Sequence, residues 1–218
     1  SGYILSGPEY LTVFDGATGK AIHTIWYNPN RGGTFNKTAS YPSSSGFWGD
    51  NYGNRSERYL ACVAYLDGPS SNPSAVMCRG YYTRAYVWAV DFNGSKLVHK
   101  WLHASVSSSN VEHYDANWNK TTKTYNSNTS GKGSLYTLYG NGNHNISVGD
   151  VDGDGCDEIV WGSGALDNDG QLLYSGGFGH GDAIHLADFD PDRPGLELFD
   201  VHEEKINPYG GDLHDAAT

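Results

Sequence analysis

Hydrophobic positions along the chain come in short runs and do not follow a helical period. No stretch of about 12 residues carries apolar side chains at i, i+3, i+4 and i+7 without interruption by Gly, Pro or an Asn/Asp cluster. The runs are rich in β-branched and aromatic residues and are bounded by turn signals, which is typical of strands. They cover Tyr10–Phe14, Tyr59–Leu66, Ala75–Tyr82, Tyr86–Phe92, Lys96–Trp101, Asn145–Val148, Glu158–Trp161, Ala183–Ala187 and Leu196–Val201. The pattern predicts an all-β protein.

Two kinds of strand pair alternate along the chain. The first is a hairpin with a tight Asp-Gly or Asn-Gly turn around Gly16, Gly94 and Gly170, at intervals of about 77 residues. A fourth copy begins at residues 210–218, GGDLHDAAT. The second kind is a strand, an acidic or Gly/Pro-rich loop, and another strand. Its loops carry equivalent aspartates at Asp67, Asp152 and Asp190.

The alternation gives about four strands per 40 to 50 residues, which is the composition of a β-propeller blade. We therefore expect residues 1–218 to be one part of a single β-propeller catalytic domain, covering roughly three to four blades and beginning and ending inside blades. An open arc of blades leaves unpaired strand edges, so the remaining blades are expected to come from the same gene product or from a companion chain. A single irregular β-sandwich is the alternative, but it does not explain the alternating units.

Two polar insertions interrupt the repeat, near residues 29–54 and 105–135, and both are predicted to be loops. Aromatic side chains in these insertions would suit a platform on which sugar rings stack, although scattered exposed aromatics are an equal alternative. They are Tyr41, Trp48, Tyr52, Tyr114, Trp118 and Tyr125.

Charge and hydropathy exclude two classes of partner. The chain has 14 Lys+Arg against 25 Asp+Glu, a formal net charge of −11. A nucleic-acid-binding protein needs a basic face, so nucleic acid is not expected as a partner. No apolar run approaches the roughly 20 residues of a membrane-spanning helix, so no membrane is expected either.

The first acidic loop, Asp150–Glu158, places aspartates at Asp150, Asp152 and Asp154 before Gly155. Hard oxygen ligands converging from a tight loop are what Ca²⁺ requires. The loop is not an EF-hand, because position 12 is Trp161 in an apolar run where that motif needs Glu. We predict a calcium-stapled hairpin in which Glu158 supplies another carboxylate and Cys156 a backbone carbonyl.

The second acidic loop, Asp188–Glu197, repeats the spacing of the first. Its predicted ligands are Asp188, Asp190, Asp192, Leu196 and Glu197. A different residue, Arg193, stands where the first loop has Gly155, so the turn is expected near 194–195 instead. A solvated acidic turn is the alternative for both loops. Calcium is favoured because three carboxylates at i, i+2 and i+4 repel one another unless a cation neutralises them.

A third candidate site combines histidines with acids at the ends of short strands. Its members are His144, His180, Asp182 and Glu203. A mixed nitrogen and oxygen set suits Zn²⁺ or Mn²⁺ and is less usual for Ca²⁺. Each histidine alone is more typical of a hydrogen-bonded structural residue, and the set is predicted only because neighbouring repeats bring such positions together.

Several segments together resemble a known family, the calcium-dependent rhamnogalacturonan lyases of polysaccharide lyase family 11. The segments are YILSGPEYLTVFDGATG, WGDNYGNR, CRGYYTRAYVWAVD, GNHNISVGDVDGDGCDEIVWG and GHGDAIHLADFDPDRPGLELFDVHE. The resemblance covers nearly the whole chain except residues 105–135. It implies an eight-bladed β-propeller of nearly three times this length, of which this chain is a central segment.

The resemblance also implies a function. A secreted lyase of this kind cleaves rhamnogalacturonan I, a pectin polysaccharide, by β-elimination at the bond from rhamnose to O4 of galacturonate. The family's calcium loops fall on the two acidic loops, and its histidine-containing metal site falls on His144, His180, Asp182 and Glu203, which favours Ca²⁺ there. No catalytic base and no substrate-binding residue is assigned on this chain. The alternative is a non-catalytic calcium-stapled propeller that binds a polysaccharide or a protein partner.

Overall fold

The computed structural model describes residues 4–42, 45–126, 129–130, 133–204 and 210–218, and within these ranges the protein is almost entirely β. Helix is confined to α1, Ser45–Trp48, and a 3-10 turn at Arg55–Glu57. Neither helical segment is long and apolar enough to cross a bilayer. The all-β prediction is confirmed.

Nineteen strands are described. They are β1 Ser6–Gly7, β2 Tyr10–Phe14, β3 Ala21–Trp26, β4 Ala39–Ser40, β5 Tyr59–Ala64, β6 Ser74–Arg79, β7 Ala85–Phe92, β8 Leu97–Ser105, β9 Asn110–Tyr114, β10 Lys120–Thr124, β11 Thr129–Ser130, β12 Gly133–Ser134, β13 Ser147–Gly149, β14 Glu158–Val160, β15 Gly164–Leu166, β16 Leu172–Ser175, β17 Gly181–Ala187, β18 Glu197–His202 and β19 Gly211–Asp215.

The two predicted kinds of strand pair are both present. The hairpins around Gly16, Gly94 and Gly170 are β2–β3, β7–β8 and β15–β16. The strand–loop–strand units are β5–β6, β13–β14 and β17–β18. Each unit joins the hairpin after it into one antiparallel sheet, and β19, the start of the fourth hairpin, pairs with β18. The alternating plan therefore sets the sheet topology.

The second insertion differs from its prediction. Residues 105–135 were expected to form a loop, but β9 and β10 lie within them and extend one sheet to six strands in the order β10-β9-β8-β7-β6-β5. Every residue of β10, with the sequence KTTKT, is exposed. Threonines favour the strand, and lysines protect an exposed edge from pairing with another chain. A polar edge strand has the composition of a loop, which explains the error.

Three apolar layers hold the sheets together. The six-stranded sheet is covered on both sides, so β7 is buried over Ala85–Val90. One layer contains Val87 and joins this sheet to the four-stranded sheet β13–β16 through Leu166. Another contains Trp88 and packs beneath α1 through Trp48. The third joins the four-stranded sheet to the three-stranded sheet β17–β19. Alternate side chains of β7 thus serve two different layers.

Candidate metal and substrate site

The predicted histidine and acid set converges at one end of two neighbouring sheets. His144 lies between a parallel bridge, Asn143 to Gly181, and the start of β13. His180 directly precedes β17, and Glu203 directly follows β18. Asp182 lies at a register shift between Gly181 and Ala183, an irregularity of the kind that re-aims a side chain. We call these four residues the His144 site.

The donor atoms of the His144 site face one another. His144, His180 and Asp182 each offer one atom within 4.8 Å of the other two. His144 Nε2 lies 3.6 Å from Asp182 Oδ1, and His180 Nε2 lies 3.5 Å from Glu203 Oε2. The acids are more than half exposed, whereas the His180 side chain is 1% exposed. The site therefore has a buried imidazole at its floor and carboxylates at its rim.

His180 is held in the form that binds metal. Its Nδ1–H donates to the Gly142 carbonyl at 2.7 Å, which leaves the lone pair on Nε2. That Nε2 is buried and accepts no hydrogen bond. Burial lowers the pKa of His180, so the ring is neutral. An unpartnered buried nitrogen aimed at two carboxylates fits a divalent cation.

Two tyrosines and two arginines surround this site, and the sequence reasoning did not identify them individually. Tyr81 stacks on the His180 ring at 4.8 Å between centroids, and Tyr82 lies 4.1 Å from the same ring. The Arg55 guanidinium lies 3.7 Å above the Tyr82 ring. A pocket of about 270 Å³ opens beside them, lined by Glu57, Arg58, Tyr59, Leu60, Tyr81 and His144. The available signal for Tyr81, Tyr82 and Arg55 was their place in the CRGYYTR and WGDNYGNR segments of the resemblance, whereas Arg58 lies outside both segments.

The first acidic loop also converges. Asp150, Asp152 and Glu158 form one group of donors within 4.8 Å, and Asp152, Asp154 and Asp167 form a second. Asp167 follows β15 and was not predicted, because it is distant in sequence. The Cys156 N–H donates to Asp154 Oδ1 at 2.7 Å. The role of the Cys156 carbonyl stays a prediction.

Glu158 is the most informative residue of this loop. It is fully buried; its Oε2 accepts the Val151 N–H at 2.8 Å, while its Oε1 has no hydrogen-bond partner. Burial raises the pKa of Glu158 to about 7. A buried carboxylate oxygen left unpaired costs stability unless something compensates it, and a bound cation would do so. The residues of the first loop thus fit Ca²⁺.

The second acidic loop does not bring its predicted ligands together. Asp188, Asp190, Asp192 and Glu197 are all described, yet they form no group of three donors within 4.8 Å. The buried Glu197 Oε2 accepts the N–H groups of Phe189 and Asp190. The Leu196 carbonyl accepts the Ala216 N–H at 2.8 Å. Calcium at this loop stays a prediction that the arrangement does not favour.

Comparison with known proteins agrees with the resemblance in the sequence. A family model described as rhamnogalacturonan lyase family 11, C-terminal domain, matches residues 1–124 and 111–218. The chain belongs to rhamnogalacturonan lyase family 11. Two relatives from Bacillus subtilis (strain 168) match over 217 residues: the rhamnogalacturonan exolyase YesX is 48% identical and the rhamnogalacturonan endolyase YesW is 46% identical.

Family 11 structures share the fold of this chain. A Bacillus licheniformis rhamnogalacturonan lyase of this family aligns over the whole chain with a TM-score of 0.77 and 47% identity. The chain covers 31% of that structure and 29% of the length of both Bacillus subtilis relatives. The match therefore concerns one segment of much longer family 11 proteins.

Proposed function

We propose that this chain is part of a rhamnogalacturonan I lyase, which cleaves the bond from rhamnose to O4 of galacturonate by β-elimination and leaves unsaturated galacturonate ends. The observation that carries the proposal is the His144 site, with its buried, unpartnered His180 Nε2 facing exposed carboxylates. Membership of family 11 supplies the reaction class.

The elimination needs three things: charge neutralisation at the C6 carboxylate, a base for the C5 proton, and departure of the C4 oxygen. A cation held at the His144 site would supply positive charge beside that carboxylate and make the C5 proton more acidic. Arg58 lines the adjoining pocket and offers a guanidinium to the same carboxylate. The C5–H electron pair then forms the C4–C5 double bond, and the rhamnosyl oxygen leaves C4 with a proton.

The base is not assigned to this chain. Burial raises the pKa of Tyr81, and burial together with Glu203 raises that of Tyr82, so both phenols keep their protons at neutral pH. They pack on His180 and orient it. We infer that neither tyrosine abstracts the proton and that the base is another residue of the complete lyase.

We infer that the sheets are successive blades of a β-propeller completed by further blades. The first strand of the four-stranded sheet, β13, packs against β5 and β17, the first strands of the strand–loop–strand units in the sheets before and after it. First strands that neighbour one another are expected where blades surround a common axis. In this proposal the protein acts outside the cell, where pectin is found, and both Ca²⁺ and rhamnogalacturonan I are its partners.

The non-catalytic alternative receives less support. Several of the aromatic side chains proposed as a sugar platform are used inside the protein. Trp48 is fully buried. Trp118 stacks on His99 with 3.7 Å between ring centroids, and Tyr125 stacks on Tyr136 with 5.8 Å between ring centroids. Of these six aromatic side chains, Tyr52 is exposed and the other five are partly or fully buried.

The test uses a chimera in which this chain replaces the matching segment of the Bacillus subtilis exolyase. The ultraviolet absorbance of unsaturated uronate released from rhamnogalacturonan I measures its activity. We expect activity with Ca²⁺, its loss with EDTA, and a loss of at least about 100-fold for Asp182→Asn or His180→Gln. The matched control is His185→Gln, an exposed histidine on the same strand, which should keep full activity. A folded chimera that is inactive, or an active one insensitive to Asp182→Asn, would contradict the proposal.

A further inference from the structure

Tyr81 lies between the two imidazoles of the His144 site without being one of its predicted ligands. It belongs to the connection between β6 and β7. Its ring stacks on the His180 ring at an interplanar angle of 16°, with 4.8 Å between centroids, and meets the His144 ring edge-on at 4.9 Å. The position of the phenol is therefore tied to both nitrogen donors of the proposed cation site.

The protein core holds the Tyr81 ring in place. The side chain belongs to the apolar layer that joins the six-stranded and four-stranded sheets, and the residue is 2% exposed. Gly142 makes room for it, because a methyl group at position 142 would lie 2.4 Å from Tyr81 Cβ. The carbonyl of the same glycine accepts the His180 Nδ1–H. One tight contact thus fixes both the phenol and the imidazole, as a preorganised site requires.

The hydroxyl at the end of this ring serves no contact within the fold. Its oxygen is buried and has no hydrogen-bond partner among the described residues. The neighbouring Tyr82 ring, 4.5 Å away between centroids, does not supply one. A buried hydroxyl without a partner costs stability, and phenylalanine would fill the same space without that cost. Such a group needs an explanation, and a bound ligand is one.

Tyr81 also lines the pocket of about 270 Å³ beside the His144 site, together with His144 and the exposed Arg58. A guanidinium, a phenol donor and a cation at the His144 site are all suited to a carboxylate. Glu57 lines the pocket as well, but its Oε1 lies 3.5 Å from Arg79 Nη2 and 3.7 Å from Arg31 Nε. Its charge is therefore balanced by these two arginines.

We propose that the Tyr81 hydroxyl donates a hydrogen bond to a C6 carboxylate oxygen of galacturonate bound in this pocket, an inference that rests on the proposed function. As C5 loses its proton, part of the C5–H electron pair spreads onto the C6 oxygens before the C4–C5 double bond is complete. A fixed donor at that place stabilises the growing charge. The phenol keeps its own proton throughout, so it assists a separate base.

The Tyr81 oxygen is closed to solvent, so a sugar reaches it only if the pocket wall moves. Arg58 and Tyr59 contribute exposed side chains to that wall, and exposed side chains change rotamer within nanoseconds. Pairing of the carboxylate with Arg58 is therefore expected to precede the hydrogen bond from Tyr81. The competing explanation is a structural tyrosine whose ring orients His180 and whose hydroxyl has no role.

The first test measures binding of D-galacturonate to the full chain in saturating Ca²⁺ by calorimetric titration. We expect Tyr81→Phe to weaken binding at least about 5-fold, with no lowering of the thermal unfolding midpoint, since the hydroxyl has no partner in the fold. The matched control is Tyr174→Phe. Tyr174 also has a buried hydroxyl without a described partner, but it does not line the pocket, so its variant should bind normally.

The second test measures lyase activity in the chimera that carries this chain. Tyr81→Phe should lower kcat at least about 100-fold and change KM by less than about 5-fold, because the hydrogen bond strengthens as charge develops. The Ca²⁺ concentration that gives half-maximal activity should not change. A tyrosine that only orients His180 would instead shift this Ca²⁺ dependence.

Three results would overturn the proposal. They are a full chain that binds no galacturonate in Ca²⁺, equal galacturonate binding by the natural chain and Tyr81→Phe, and a loss in Tyr81→Phe that excess Ca²⁺ restores. The binding test requires no turnover. An inactive chimera would therefore contradict the proposed function, whereas an active chimera with unchanged binding in Tyr81→Phe would contradict only the role of Tyr81.

Discussion

The two acidic loops have the same sequence plan but arrange their carboxylates differently. Each begins directly after a strand, with aspartates at i, i+2 and i+4, and each ends at a buried glutamate that opens the next strand. The two loops also contain an equivalent hydrogen bond, in which the N–H of the residue after the first aspartate donates to the glutamate. Val151 donates to Glu158 and Phe189 donates to Glu197, both at 2.8 Å. Only the first loop gathers its carboxylates.

The backbone of the turn explains the difference. Gly153 and Gly155 adopt φ of 82° and 91°, a region open to glycine and strained for other residues, and they fold the first loop back on itself. The second loop has Pro191 and Arg193 at these places. Proline fixes φ near −65°, and the Arg193 guanidinium reaches Asp215 at 3.8 Å. The spacing of the acids predicts a metal site, but the conformation of the turn determines whether the carboxylate oxygens come close together.

The largest expected effect comes from Glu158→Gln. With Ca²⁺ at 1,000 times its Kd, binding adds about 4 kcal/mol to the free energy of unfolding, and the variant should lose most of it. In EDTA the variant should stay within about 1 kcal/mol of the natural chain, because the amide still accepts the Val151 N–H and no longer buries an unpaired carboxylate. Urea unfolding in both conditions measures this. An equal loss in Ca²⁺ and in EDTA would show that Glu158 has a structural role only.

A pH effect of nearly this size should arise at a buried histidine in β8, and it must be separated from the effects of the two loops. His103 in β8 is fully buried; it contacts the Gly170 carbonyl at 3.0 Å through Nδ1 and Ser105 Oγ at 2.8 Å through Nε2. Burial lowers its pKa from 6.5 to about 4. Between these values the unfolded chain binds the proton and the folded chain does not, so stability falls as the pH falls.

The expected loss from His103 between pH 6.5 and pH 4 is about 3 kcal/mol. Unfolding in EDTA at a series of pH values, compared between the natural chain and His103→Gln, isolates it. The variant should show a shallower decline toward acid. Parallel declines would mean that other groups set the acid sensitivity.

Glu197→Gln is the counterpart of Glu158→Gln and should behave differently. Glu197 accepts two backbone N–H groups, from Phe189 and Asp190. Weakening these charge-assisted hydrogen bonds should cost about 1–2 kcal/mol, equally in Ca²⁺ and in EDTA. Urea unfolding again gives the answer. A loss that appears only with Ca²⁺ would mean that the second loop binds the ion after all and that its carboxylates rearrange to do so.

Local patterns predicted much of the fold. The Asp-Gly and Asn-Gly turns fixed the three hairpins, because those turns need only residues adjacent in sequence. The four residues of the His144 site were predicted from the repeat, which was the only way to relate His144 to Glu203. Strands β9 and β10 were missed: β10 is an exposed edge strand, which requires little hydrophobic alternation, and β9 lies between it and β8.

Contacts between distant segments were harder to predict. Asp167 joins the first loop from another turn, and Asp212 meets Asp200 only through the register of β18 and β19. Which donor side chains come together depends on strand register, and composition does not determine that register. The second loop differs for another reason: it has the same acid spacing, but Pro191 and Arg193 stand where the first loop has glycines, and its carboxylates do not form a group of three. Calcium at this loop stays a prediction.

The smallest expected effect comes from converting the second loop into a copy of the first. Pro191→Gly with Arg193→Gly restores glycine at both turn positions, and it should give the chain additional Ca²⁺ binding, weak because this loop is one residue longer. In EDTA the variant should lose about 1 kcal/mol, since two glycines add conformational freedom to the unfolded chain. The exposed Arg193 ion pair to Asp215 contributes little.

The matched control is Pro191→Ala with Arg193→Ala, which removes the same side chains but disfavours positive φ. Calorimetric titration of the two variants with Ca²⁺ compares them directly. New binding in the glycine variant and none in the alanine variant would establish that turn conformation separates the two loops. New binding in both would instead assign the difference to the bulk and charge of the native side chains. No new binding in either would mean that the extra residue before β18 already prevents the carboxylates from meeting.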